Sequence, residues 1–395
     1  MMKKLLAGVL CWGLLFAAAP AARALTVEPA TDRTFDLPCQ AAILIDEDSG
    51  TVLYEKNADE QRPVASITKV MTLLLTFEAM EEGRIRADDL VPVSEHAYHM
   101  GGSQIWLEPG EQMTLDDMLK AICIASANDA AVAVAEYVGG SEPVFVSMMN
   151  EKAAALGMTN THFENACGLD AEGHLSTARD VAVMSREVLL NHPQVKEYCT
   201  VWQDSLRGGE TQLVNTNKML KSYTGITGLK TGTTGKAGVC ISASAERDGL
   251  RLIAVVLGSA SGQDRFDAAA ALLDYGFANY ENAAAPLPDP APQTVAVKNG
   301  VENEVGLRYT APQAILQPKG GAAGLTAELH LAQELTAPVA EGAQAGTVVI
   351  RRGEEEIAAY PVVADGDVEA RSFAFCFRRL AGALLLNDKN FVQNE

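Results

Sequence analysis

The chain has 395 residues, 48% hydrophobic and 21% charged, enough for two globular domains with sizeable cores. Its formal net charge of -20 excludes nucleic-acid binding through a general electrostatic patch, because phosphate contacts need clustered Lys and Arg. A charge of that sign favours solubility instead.

Residues 1–24 read as a Sec signal peptide. "MMKK" is a basic n-region, "LLAGVLCWGLLFAAAP" an apolar core, and Ala22-Arg23-Ala24 a small-x-small cleavage site. The apolar run is short for a membrane span, and a retained anchor is the competing reading. Cleavage would remove Lys3, Lys4 and Arg23 and take the charge from -20 to -23. Of seven Cys, Cys11 would leave with the signal, and Cys39, Cys123, Cys167, Cys199, Cys240 and Cys376 remain. An even number in an exported chain permits disulfides. Cys123 and Cys240, however, sit inside the apolar runs "AICIAS" and "GVCISAS", where a free Cys packs as a small hydrophobe. Buried free thiols are the favoured reading. There is no C-x-x-C and no Cys/His cluster with zinc spacing, so neither a metal nor a cofactor is expected.

Residues 40–56 read as a hairpin around the turn "DEDSG". A helix follows from "PVASITKVM", with Ser66 in its first turn and Gly83 stopping it. "TLDDMLKAICIASANDAAVAVAEYVGG" holds helices at both ends, with Thr114 and Asp117 spaced as a capping box. "SEPVFVSMMNEKAAALGM" and "TARDVAVMSREVLLNHP" are further helices, separated by a Gly-rich loop. After residue 223 the period becomes β-like through "LRLIAVVLGSA", and "DRFDAAAALLDYGFANY" is a closing helix. This order suggests an α+β fold, an antiparallel sheet covered by helices. An Ala/Pro-rich linker spans 283–293, and 294–370 reads as a small β-rich domain whose His330 is structural. In the tail, 371–395, Phe373, Phe377, Leu380 and Leu384 fall at helical spacing and Arg378 and Arg379 interrupt them, as in an interfacial membrane helix. A last strand is the competing reading, because Phe373, Phe375 and Phe377 also alternate.

Three short motifs carry the chemistry. Ser66 and Lys69 stand three apart in "RPVASITKVMT", Ser126-Ala127-Asn128 falls between two helices, and Lys230-Thr231-Gly232 lies on a β-rich run ahead of Thr233. Alone, each has a bland explanation: a helix cap with a solvated lysine, another cap, an edge strand. Together, in this chain order, they are the signature shared by class A β-lactamases and penicillin-binding proteins. With "GGSQIWLEPGEQMTLDDMLKAICIASANDAA", "MNEKAAALGMTNTHFENACGLD" and "GLKTGTTGKAGVCISASAERDGLRLIAVVLG", the chain closely resembles the low-molecular-mass penicillin-binding proteins that act as D-alanyl-D-alanine carboxypeptidases. The resemblance is strong over about residues 38–280. It implies the penicillin-binding-protein/β-lactamase-like transpeptidase fold, a catalytic domain over 25–282, a small all-β C-terminal domain, and a basic amphipathic tail as candidate membrane anchor. It also implies a place at the outer face of the cell membrane or in the cell wall.

A free Ser hydroxyl is a weak nucleophile and needs a base; no Ser/His/Asp arrangement is evident, and a Ser–Lys pair is the alternative. Positions i and i+3 of a helix share a face, so Lys69 can reach Ser66. Lys69 acts as a base only if its pKa falls, and burial and the cation Lys230 would both lower it. By resemblance, Ser66 is the nucleophile, Ser126 relays a proton to the leaving amine, and Asn128 holds Lys69 and the substrate amide. Lys230, Thr231 and Arg265 take the terminal carboxylate, Gly232 permits close approach, and the amides of Ser66 and Thr233 form the oxyanion hole. Cys167 stands in "NACGLD" where several family members carry His. The implied partners are the peptidoglycan stem pentapeptide and, as covalent inhibitors, β-lactams. Two alternatives are a class A-like β-lactamase and a non-catalytic penicillin-recognising sensor. The first is disfavoured by Ser-Ala-Asn in place of Ser-Asp-Asn, by the missing Glu-x-x-Leu-Asn at 164–168, and by the extra β-domain. Three intact motifs argue against the second.

Overall fold

The computed structural model describes residues 29–31, 36–312, 314–321 and 324–386. The signal-peptide reading of 1–24 and the tail residues 387–395 lie outside them.

Strands Ala41–Asp46 (β1) and Leu250–Ser259 (β5) are apolar at nearly every position because both faces of their sheet are covered. Ala41, Ile43, Ile45, Ile253, Val255 and Leu257 point into one core, and Ala42, Leu44, Leu252, Ala254 and Val256 into the other. Around them lie Val52–Lys56 (β2), Ile226–Thr234 (β3) and Gly238–Arg247 (β4). The spatial order is β2-β1-β5-β4-β3, all antiparallel, with Ala30–Thr31 added parallel to β2. β1 and β2 meet β5 only through the fold, so the two ends of the catalytic region close one sheet. β3 is left at its edge.

One face is covered by helices Lys69–Glu81 (α1), Leu115–Lys120 (α2), Asn128–Gly139 (α3), Glu142–Ala155 (α4) and Ala178–Asn191 (α5). Gly262–Asn279 (α6) covers the other. α1 is buried on all sides from Lys69 to Phe77, which makes it the hub of the larger core. Each Leu or Phe buried there contributes roughly 1.5–3 kcal/mol. α3 is rich in buried Ala, which lets neighbouring helices come close. The capping expectation holds: the Thr114 hydroxyl accepts from Asp117 N at 3.2 Å. The entry to α1 differs from the simple helix expected. A 3-10 turn, Ala65–Thr68, precedes it. In a 3-10 turn side chains at i and i+3 eclipse, so Ser66 and Lys69 stack more directly than on an α-helix.

The described chain forms two compact units. One holds the residues up to 283 together with 316–321; the other holds 284–315 and 324–386. The first therefore takes back a piece of the stretch read as the β-rich domain. Ile315–Pro318 (β9) pairs with Tyr280–Ala283 (β6), and Leu316 is buried in the α6 core. Lys319 Nζ donates to Phe277 O at 3.1 Å. Nothing in "AILQP" distinguishes this strand from its neighbours in sequence.

The second unit is a six-stranded sheet of Thr294–Lys298 (β7), Glu304–Tyr309 (β8), Leu325–Leu331 (β10), Glu334–Thr336 (β11), Gln344–Arg352 (β12) and Glu355–Ala364 (β13). Its order is β10-β12-β13-β8-β7-β11. His330 is an exposed neighbour of Glu328. Of the two readings of the tail, the helix is observed, over Phe373–Leu386 (α7). Phe373, Phe377 and Leu380 are exposed on it, and no described helix is long and apolar enough to cross a membrane. The six described Cys are free thiols, buried except for Cys376.

Candidate active site

The 3-10 turn sets Ser66 half-buried over the fully buried Lys69. Lys69 Nζ lies 2.9 Å from Ser66 Oγ, 2.6 Å from Asn128 Oδ1 and 2.7 Å from Cys167 O. The last two groups are acceptors only. A neutral amine must spend its two N–H bonds on them, which leaves its lone pair facing the Ser66 hydroxyl. Burial brings Lys69 down to about 8, with Cys167 and Asp129 acting in the opposite sense.

Asn128 is held so that its oxygen meets the lysine, since its Nδ2 donates to Gly101 O at 2.6 Å. The motif is delivered by a local break in the helix. α2 widens into a π-turn over Ala121–Ala125, and Ser126 then takes φ 63°, ψ 30° before α3 begins. A left-handed conformation is costly for Ser, and π-turns of this kind recur at functional sites. Beside it the buried Asp129 accepts from Ile105 N and Leu107 N, each at 3.1 Å to Oδ2, and so ties the segment around 101–107 to the motif.

From the sheet edge, Lys230 enters the same interior. It is 1% exposed, and its Nζ donates to Ser126 Oγ at 2.8 Å. Its pKa is pushed well below the lysine range, first by burial and then by Lys69. The two buried lysines interact, as expected of two cations in one interior. Burial is the largest cause of the lowering for both, and the repulsion between them disfavours charging both at once. Thr231 is buried, its hydroxyl donating to Thr216 Oγ1 at 2.7 Å. A Cβ on Gly232 would lie 2.9 Å from both Ser66 N and Val64 O, so only glycine lets β3 rest flush against the nucleophile turn. Thr233 is exposed beside it. Arg265, in the first turn of α6, donates from Nη1 to Gly232 O at 3.3 Å, Thr233 Oγ1 at 3.3 Å and Cys240 O at 3.2 Å; its buried Nε has no partner.

Residues 163–176 close the site from the third side. Asn165 Oδ1 gathers the amides of Cys167, Gly168 and Leu169. A Cβ on Gly168, at φ 86°, would lie 1.9 Å from Ala65 O, so this loop also presses on the nucleophile turn. The Cys167 thiol is 1% exposed and pushed up by burial, which makes it a packing group; its backbone carbonyl is what meets Lys69. His174 accepts from Glu164 N on Nδ1 at 3.0 Å, so Nε2 carries the proton and faces Thr68 Oγ1 at 2.8 Å.

Burial holds His174 down to about 4 from its ordinary 6.5. The unfolded chain therefore takes up a proton in that window that the folded chain does not. Stability should fall as pH drops from about 6.5 to about 4, by up to about 3 kcal/mol from this group. Urea midpoints at pH 7 and pH 4.5 test this. The acid loss should be smaller in His174→Gln, and an equal loss in both proteins counts against it.

The predicted residues thus form two connected sets. Ser66, Lys69 and Asn128 are one; Ser126 and Lys230 are the second; Gly232 and Thr233 border both from β3, and Arg265 reaches them from α6. Asp129, Asn165, His174 and the Cys167 carbonyl escaped the sequence reading. Among the described residues, no group of three or more His, Cys, Asp or Glu side chains is placed to hold a metal ion. A partly exposed Ser hydroxyl against a buried lysine of depressed pKa is the arrangement that serine acyl transfer with a lysine base requires.

The sequence comparisons give the family. Residues 26–261 match the D-alanyl-D-alanine carboxypeptidase family, and 288–370 match the C-terminal domain of penicillin-binding protein 5. The chain belongs to the D-alanyl-D-alanine carboxypeptidase family. It is 41% identical to the D-alanyl-D-alanine carboxypeptidase DacF of Bacillus subtilis, over 96% of this chain and 98% of that one. Among solved structures it is similar to penicillin-binding protein 5 of Haemophilus influenzae, with TM-score 0.72 and 30% identity over 84% of this chain and 98% of that one. It is also similar to the cefotaxime-bound form of penicillin-binding protein D2 of Listeria monocytogenes, with TM-score 0.57 and 33% identity over 61% and 98%.

Proposed function

We propose that this serine carboxypeptidase removes the terminal D-Ala from peptidoglycan stem pentapeptides through an acyl-Ser66 intermediate. The observation that carries the proposal is the buried Lys69 amine 2.9 Å from Ser66 Oγ, with its two other partners both acceptors. The Ser66 proton passes to Lys69 Nζ as Oγ attacks the carbonyl of the penultimate D-Ala. The Ser66 and Thr233 amides would hold the oxyanion. Because Lys230 donates to Ser126 Oγ, the Ser126 hydrogen is free to point at the departing nitrogen. D-Ala leaves as the amine, and water then cleaves the ester and restores Ser66. A C-terminal carboxylate suits the far end of the site. It would pair with Lys230, with Arg265 adding a second cation beside Thr233. β-Lactams would acylate the same serine, as the cefotaxime-bound relative supports. The family and the intact motifs favour this reading over a β-lactamase or a non-catalytic sensor. Release of D-Ala from an acyl-D-Ala-D-Ala peptide, with Ser66→Ala as the control, tests it. Faster penicillin turnover than peptide hydrolysis would favour the β-lactamase.

We further propose export through residues 1–24 and peripheral attachment to the outer face of the membrane through 371–395. Support comes from the apolar stripe of Phe373, Phe377 and Leu380 on α7, with Arg378 and Arg379 off that stripe. Deleting 371–395 should move the protein from the membrane to the soluble fraction while peptide hydrolysis persists. A full-length protein already soluble after export counts against attachment.

A further inference from the structure

One of the three contacts of Lys69 Nζ is a backbone carbonyl, Cys167 O, and the residue just before it is held by a side chain no motif includes. The Ala166 N–H donates to Glu142 Oε1 at 2.9 Å. The Ala166 carbonyl accepts from Thr72 Oγ1, three residues beyond Lys69 on α1, at 2.6 Å. The next carbonyl, Cys167 O, accepts from Lys69 Nζ at 2.7 Å. Ala166 is thus gripped from both sides one residue before the lysine contact. Glu142, at the start of α4, is 8% exposed, and its second oxygen lies 2.5 Å from His96 Nε2. Both carboxylate oxygens are engaged, so Glu142 is not positioned as a base toward Ser66. His96 is half-exposed and braces the carboxylate from outside.

We propose that Glu142 is a positioning residue for acylation: by holding the Ala166 amide it fixes Cys167 O against Lys69 Nζ and keeps solvent from the lysine. Removing the grip leaves a buried amide without a partner, so the loop around Ala166 shifts to find water. Water then reaches Lys69. Burial is the largest influence depressing that amine, so its pKa climbs toward the ordinary lysine value. Acylation at neutral pH slows because less of the amine is free.

The inference rests on Lys69 being the base, and one experiment separates the two. Acylation of the full-length protein by penicillin is followed across pH for wild type, Glu142→Asp, Glu142→Gln and Glu142→Ala, with thermal melts alongside. Glu142→Asp is one methylene too short to keep both contacts. It should move the acid limb up by about one pH unit, a tenfold loss at neutral pH. Glu142→Gln keeps an oxygen for Ala166 N and should stay within about twofold of wild type. Glu142→Ala should exceed the Asp variant, and if it does not fold the comparison of Asp with Gln decides. A limb present in wild type but unmoved in Glu142→Asp overturns the positioning role, whatever the rate. So does Glu142→Gln behaving like Glu142→Asp. A wild type with no acid limb overturns the Lys69 reading instead.

Discussion

Ser66→Ala is expected to remove D-Ala release and penicillin labelling together, by on the order of 10⁴-fold or more in rate. The loss follows from geometry. Among the described residues, Ser66 supplies the hydroxyl hydrogen-bonded to the amine of Lys69. Ser126, the other serine of the site, is paired with Lys230, 2.8 Å away, rather than with Lys69. The variant should fold, because Lys69 keeps Asn128 Oδ1 and Cys167 O as partners and Ser66 is only half-buried. Peptide mass mapping of penicillin-treated wild type should place the acyl group on the peptide containing Ser66. A label elsewhere, or residual hydrolysis within tenfold of wild type in a folded Ser66→Ala, refutes the assignment.

The second large effect is the pH dependence of acylation. Lys69 serves as base only when neutral, and burial sets its pKa at about 8. The rate should therefore climb about tenfold per pH unit below that value and level off above it. Lys69→Arg, cationic at every accessible pH, should lose 10²–10⁴-fold throughout. Lys69→Met should lose as much by removing the base altogether. Stopped-flow acylation by penicillin between pH 6 and pH 10 reads both. A flat profile with full activity at pH 6 would show that another group takes the Ser66 proton.

The contrast between these residues and Glu142 marks what a one-dimensional pattern can carry. Ser66 and Lys69 are legible because one helical turn brings them together. Ser126 to Asn128 and Lys230 to Gly232 are likewise local, each within a single element. The hairpin of β1 and β2, the strand periodicity after residue 223 and the helix of the tail follow from local composition, and the structure bears them out. The contacts that tune the lysine are of another kind. Cys167 contributes a main-chain oxygen, and every residue owns one, so no side-chain type announces it. Glu142, Asn165 and His174 act on backbone amides or on a neighbouring hydroxyl, contacts that ordinary buried polar residues also make.

A serine, a nearby lysine, a second serine and a second lysine, in an order that one site can use, are already visible along the chain. How those groups are tuned depends on the folded chain. Folding put Lys69 and Lys230 in the same dry interior, so burial lowers both and each disfavours the charged form of the other. It also opened the helix before Ser126 and returned residues 316–321 to the catalytic unit. Desolvation and charge repulsion depend on distances between chain segments far apart in sequence, and those distances exist only once the sheet has closed.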